Sequence, residues 1–153
     1  MACAIDDRQR RVAVAGARLR RAAERALTAV GRPGGAVEVT VVDDRDIRRL
    51  NRAWRGVARP TDVLALPLES VGAAGGLVGQ IVLSAETAAR QARRLGVPVA
   101  TELDLLVTHG VLHLVGWDDR DPLEARLMHE RARQILTAGG RRVPARLWKG
   151  LLS

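Results

Sequence analysis

The chain has 153 residues, 25 Lys and Arg against 17 Asp and Glu, a formal charge of +8, and 47% hydrophobic and 27% charged residues. That composition excludes disorder, and a length near the common domain size of roughly 100–150 residues predicts one domain over 1–153. Phe and Tyr are absent and only Trp54, Trp117 and Trp148 are aromatic, so Leu, Val, Ile and Ala must build the core, and aromatic base-stacking platforms of the usual RNA-binding kind are excluded.

The single cysteine, Cys3, rules out an internal disulfide and a four-thiolate zinc site, and fits a reducing cytosol. Asp6, Asp7, Arg8, Arg10 and Arg11 interrupt the N-terminal residues before an apolar stretch reaches signal-peptide length. The most apolar stretch, Leu103 to Trp117, contains Asp104, His109 and His113 and falls short of the ~20 apolar residues of a membrane span. The expectation is a soluble, cytoplasmic protein. All basic residues except Lys149 are arginine, and the isoelectric point is near 11.4. This surplus fits a polyanionic partner, and it equally fits a compositional bias that spreads charge without purpose.

In chain order, Ala2 to Asp6 reads as a short opening strand, and Arg10 to Val30 as an amphipathic helix with Val14, Leu19, Ala22, Ala26 and Leu27 on one face. Its arginines Arg18, Arg20, Arg21 and Arg25 either lie along RNA or face solvent. The cluster Gly31 to Gly35 breaks the helix, and the β-branched run Val37 to Val42 predicts a strand. Asp43 or Asp44 caps a helix over Asp46 to Trp54, where Ile47, Leu50 and Trp54 share a face. The run Pro60 to Pro67, bracketed by prolines, suits an edge strand. After a glycine-rich loop, Gly72 to Gly76, Val78 to Ser84 reads as a strand antiparallel to it. Three helices complete the chain: Ala85 to Leu95, stopped at Gly96; Val99 or Thr101 to Leu114 or Val115, stopped at Gly116; and Pro122 to Leu136, stopped by Gly139 and Gly140.

His109-Gly110-Val111-Leu112-His113 sets two imidazoles at i and i+4, on one face of a helix and about 6 Å apart along its axis, close enough to share a metal. Gly116 can end that helix in a left-handed conformation and turn the chain back, so that Asp119 arrives where a third ligand belongs. Two His and one carboxylate form a catalytic zinc set with a fourth position open to water. Asp118 and His129 are the alternative third ligands, and His129 otherwise reads as a polar residue of the last helix.

Residues His109 to Asp119 resemble the signature H-G-x-L-H-L-x-G-[YW]-D-H of the YbeY family of bacterial metal-dependent endoribonucleases. Val39 to Asn51, Arg52 to Gly56, Pro60 to Leu64, Gly79 to Ser84 and Glu102 to Leu106 agree with the family in the same order, so the resemblance covers about residues 37–137. It implies an α/β fold, a small mixed sheet of about four strands flanked by about five helices, with the metal site on a helix and the turn after it. It also implies a zinc-dependent endoribonuclease that cleaves single-stranded RNA in small-subunit rRNA 3′-end maturation and ribosome quality control. One Zn²⁺ per chain would be held by His109, His113 and Asp119; the partners would be rRNA and the ribosome or its small subunit, with neither DNA nor a membrane expected. The family's functional arginine maps onto Arg55, where a guanidinium could grip the scissile phosphate through a bidentate fork; without the resemblance, Arg55 reads as a surface arginine beside a loop. Thr61 and Asp62 shape the turn into the strand and the cleft floor, and Trp117 packs beside the site. The chain departs from the family at Asp119, where the family has a third histidine, and at Gln80, where its G-D-I becomes Gly79-Gln80-Ile81. A carboxylate ligand adds negative charge, leaving the metal a weaker Lewis acid and its bound water less acidic.

Two other functions compete. The spacing H-x-x-x-H-x-x-G-x-x-[HD] is also that of metzincin-type metallopeptidases, but their glutamate general base beside the first histidine is here Gly110. The other is a ribosome-binding or assembly factor with a structural metal and little or no hydrolysis.

Overall fold

The computed structural model describes residues 3–55, 62–67 and 77–138, the side chains of Arg55 and Leu77 excepted. The loop Gly72 to Gly76, Thr61 and the stop at Gly139 and Gly140 lie outside the described residues. The elements are β1 (Ala4–Asp7), α1 (Gly16–Ala29), β2 (Ala36–Val42), α2 (Asp44–Arg55), β3 (Val63–Pro67), β4 (Leu77–Ser84), α3 (Ala85–Leu95), α4 (Val99–Leu114) and α5 (Pro122–Ala138). They form the α/β fold expected, with four strands in the order β1-β2-β4-β3 and five helices among the described residues. β1 and β4 pair parallel with β2, and β3 runs antiparallel along the edge of β4, with Val63 opposite Leu83 and Pro67 opposite Gly79.

Strand alternation divides the core between the two faces of the sheet. Val37, Val39, Val41, Ile81 and Leu83 face the larger cluster, where Leu19, Ala22, Ala26 and Leu27 of α1, Leu105, Leu106 and Leu112 of α4, and Met128, Ala132 and Leu136 of α5 are buried. Val42, Leu64 and Val82 face the other way and bury Ile47 of α2, with Leu50 packed at the margin. Aliphatic and small residues fill both clusters, as the lack of Phe and Tyr requires.

α1 begins six residues later than its periodicity suggests. The strand pairing continues through the Arg8 N–H, which donates to Val41 O at 2.8 Å. Gln9, only 8% exposed, then ties the next residues into a turn: its Oε1 accepts from the N–H groups of Arg11 and Val12, and its Nε2 donates to Val12 O. A side chain that satisfies backbone groups locally removes the incentive to start the helix at Arg10. Asp43 caps α2, accepting from Asp46 N–H at 2.9 Å. Asp44, at the first position of that helix, accepts from Ser84 Oγ and Thr87 Oγ1, both at 2.6 Å, and pairs with Arg90 at 2.7 Å. These bonds outweigh partial burial and hold the Asp44 carboxyl below its ordinary pKa.

α4 is the central helix, buried on nearly every side from Glu102 to Leu112. Its close approach to β4 depends on Gly110, where a Cβ would stand 3.0 Å from Ile81 Cγ2. Its buried Asp104 receives the Nε and Nη2 of Arg18 from α1 at 3.0 and 2.9 Å, which joins the two helices by a shielded ion pair.

Candidate metal centre

α4 carries His109 and His113 to its C-terminal end, where the chain must reverse to supply a third donor. Gly116 takes φ 105° there, which glycine adopts without side-chain strain. The Gly116 N–H donates to His113 O at 3.1 Å and the Trp117 N–H to Leu112 O at 3.0 Å, the paired bonds of a Schellman ending. The reversed chain then lays Asp119 against the two imidazoles.

The three donors form a small triangle. His109 Nε2 and His113 Nε2 are 3.1 Å apart, and Asp119 Oδ2 lies 3.5 Å from the first and 3.8 Å from the second. A tetrahedral ion with bonds of about 2.0–2.1 Å sets its ligands roughly 3.3–3.4 Å apart, the middle of that range. Among the described residues this is the group of His, Cys, Asp and Glu side chains close enough to hold a metal ion. His113 Nδ1 donates to Trp117 O at 3.1 Å, which leaves Nε2 with its lone pair toward the other donors, the tautomer that a metal ligand needs. Asp118, the alternative, is turned aside: it pairs with Arg120 and accepts the Asp119 N–H at 2.7 Å.

Electrostatics favours the ligand forms of these groups. The facing His109 imidazole, helped by His113 and opposed by partial burial, holds the Asp119 carboxyl down at about 2. Burial first, and the neighbouring His109 second, lower the pKa of His113. A neutral imidazole and an ionised carboxylate are what a divalent cation binds. Exposure grades across the triangle, with the side chain of His109 at 8%, His113 at 25% and Asp119 at 44%, so the group is closed on the helix side and open on the other.

The open side faces a cleft of about 760 Å³, lined by Asp62 to Leu66 along β3 and by Gly116 to Arg120. Trp117, expected to pack, is instead 36% exposed at this cleft, and its carbonyl serves His113. Asp62 lines the cleft as expected, and accepts from Gln91 Nε2 at 3.5 Å. Arg55 is the last residue of α2, and its side chain lies outside the described residues.

Sequence reasoning underestimated His129. It is 6% exposed on α5, stacked on His109 with ring centroids 5.7 Å apart, and burial lowers its pKa. It supports the ring of His109 from behind without entering the donor triangle. The signal lay in the α5 periodicity, where His129 falls on the same buried face as Met128, Ala132 and Leu136. Gly110 answers the metallopeptidase alternative in structural terms. A side chain there would enter the Ile81 contact on β4, so no general base from this position could reach the cleft.

The family model described as "Endoribonuclease YbeY" matches residues 4–140. A curated protein of that name from Anaeromyxobacter dehalogenans is 44% identical over 123 residues, 80% of this chain and 64% of the relative, so the chain spans less than two-thirds of that protein. Another from Geobacter metallireducens is 39% identical over 141 residues, 88% of this chain and 93% of the relative. The solution structure of TM1509 from Thermotoga maritima shares the fold, with a TM-score of 0.59 at 25% identity over 95% of this chain and 89% of that one. Helix end, reversing glycine and cleft thus sit in a chain that matches one family model along nearly its whole described length, and the chain belongs to the YbeY family.

Proposed function

We propose that the chain is a zinc-dependent endoribonuclease that cleaves single-stranded RNA in the cytoplasm, acting in small-subunit rRNA 3′-end maturation and ribosome quality control. The observation that carries this reading is the His109, His113 and Asp119 triangle at the head of an open cleft, in a chain whose relatives are named endoribonucleases. One Zn²⁺ per chain would be held by these three residues, and when bound it supplies a Lewis acid and an activated water for phosphodiester hydrolysis.

The chain's own residues set the conditions for that chemistry. Trp117 O fixes the His113 tautomer, and α4 fixes the relative position of both rings. Asp119 brings a negative charge where the family carries an imidazole, so the centre is less electrophilic than a three-histidine one. Arg55, in the family's arginine position at the end of α2, is assigned to hold the scissile phosphate. rRNA and the ribosomal small subunit are the proposed partners, in preference to DNA or a membrane; no single described helix is long and apolar enough to cross a membrane.

The test is metal content by inductively coupled plasma mass spectrometry on wild type and Asp119→Ala, followed by cleavage of a labelled single-stranded RNA. One equivalent of zinc in the wild type, lost with cleavage in the variant, is expected. Zinc retained by Asp119→Ala would move the third ligand to Asp118 or His129. A wild type that takes up no zinc, or binds RNA without cutting it, would refute the hydrolase and favour the assembly factor.

A further inference from the structure

We propose that the outer face of α2 is a track for the phosphate backbone of single-stranded RNA, leading toward the cleft; this rests on the nucleolytic reading above. At 3.6 residues per turn, Arg45, Arg48, Arg49 and Arg52 fall within an arc about 100° wide and span ~10.5 Å of axis. All four are exposed. Ile47 and Asn51, at 0% and 3% exposure, lie on the opposite side against the sheet. The ridge is therefore pointed at solvent by the same periodicity that buries the other face.

Its charge is available to a ligand. Among the described residues Arg45, Arg48 and Arg52 make no ion pair, and Arg49 has only an exposed contact with Asp46 at 3.2 Å. The remaining acids at this end of the helix are engaged: Asp43 caps the helix, and Asp44 is held by Ser84, Thr87 and Arg90. On the other helices Arg18 of α1 is committed to Asp104, Arg90 of α3 to Asp44 and Arg131 of α5 to Ala29 O, while Arg20 and Arg21 of α1 and Arg93 and Arg94 of α3 are exposed without an ion pair among the described residues, so pairing alone does not single out α2.

Position distinguishes this ridge from the general arginine surplus. Ile47 of α2 shares one hydrophobic cluster with Leu64 of β3, and Val63 to Leu66 of β3 line the cleft together with Asp62. The ridge and the metal-ligand triangle thus flank one edge strand, and α2 ends at Arg55, about one turn beyond Arg52. Guanidinium forks suit phosphate oxygens, and a single strand can bend from one surface to the other where a rigid duplex cannot.

The test is the salt dependence of binding, read by fluorescence anisotropy with a labelled 2′-O-methyl phosphorothioate single strand that resists hydrolysis. Zinc-loaded wild type is compared with Arg45→Gln/Arg48→Gln/Arg52→Gln and with Arg20→Gln/Arg21→Gln on α1, across the sheet. Each phosphate contact contributes about 0.7 to the slope of log K against log salt, so the α2 variant should lose ~2 from that slope. Between 50 and 200 mM salt it should then weaken ~18-fold less than wild type. The α1 variant should keep the wild-type slope. An unchanged slope in the α2 variant, or an equal loss per arginine from both helices, would overturn the track while leaving RNA cleavage to stand. A wild type that neither binds nor cleaves RNA would overturn the nucleolytic reading with it.

Discussion

Glu102 offers a test of how burial of one carboxyl shapes the pH dependence of this fold. It is 1% exposed on α4, with Oε2 lacking a hydrogen-bond partner among the described residues. Desolvation, reinforced by the charge of Asp62 and opposed by Arg94, raises its pKa from 4.5 to about 7. A carboxyl with a raised pKa binds more protons folded than unfolded between those two values, so stability falls as pH rises through this window and levels off above it. At about 1.4 kcal/mol per pH unit, the ionised form costs roughly 3 kcal/mol by pH 8. Glu102→Gln keeps the shape and cannot ionise. Urea unfolding of wild type and variant should therefore give nearly equal stabilities at about pH 4.5, with the variant gaining up to ~3 kcal/mol over wild type by pH 8. A difference that stays constant across this range would refute the assignment, because it would place the ionised carboxylate in contact with solvent or with an unrecognised cation.

Two further substitutions probe packing and the shielded ion pair. Gly79→Ala places a Cβ 2.6 Å from both Leu66 O and Leu114 Cδ2; the carbonyl belongs to the paired strand and cannot swing away, so a loss of about 2–3 kcal/mol is expected in the denaturant midpoint, and an unchanged midpoint would contradict the tight β3–β4 seam. Arg18→Leu takes the guanidinium from Asp104, whose side chain is 3% exposed, and should cost about 3 kcal/mol. Arg18→Leu/Asp104→Asn should recover much of that loss, and a double variant no more stable than the single one would show that the pair does not act as a unit.

Much of this molecule is legible from periodicity and stop chemistry. The β-branched run at Val37 to Val42, the proline-bracketed edge strand and the helix stopped at Gly96 all appear where the sequence predicts them, because each is determined by local pattern and by residues that cannot continue an element. The spacing of His109, His113, Gly116 and Asp119 likewise brings three donors together, since one helix and one reversing turn are enough to do so. What was not legible depended on side chains whose partners are distant or unusual. Gln9 delays α1 by serving backbone groups, a role that no helical periodicity records. His129 meets His109 only because α5 packs on α4.

The compactness of the donor set in sequence has a consequence for folding. His109, His113 and Asp119 lie within eleven consecutive residues, so an ion held by them closes a short loop and cross-links no remote parts of the chain. Unfolded chains keep such neighbours close and retain some affinity for the ion, which reduces the stabilisation that binding can confer. The two hydrophobic clusters, built from residues on every major element, are complete without it. Exchange of an ion held by this group would therefore be a local event at the end of one helix, and a chelator is expected to strip any such ion while the sheet and its helices keep their cooperative unfolding transition.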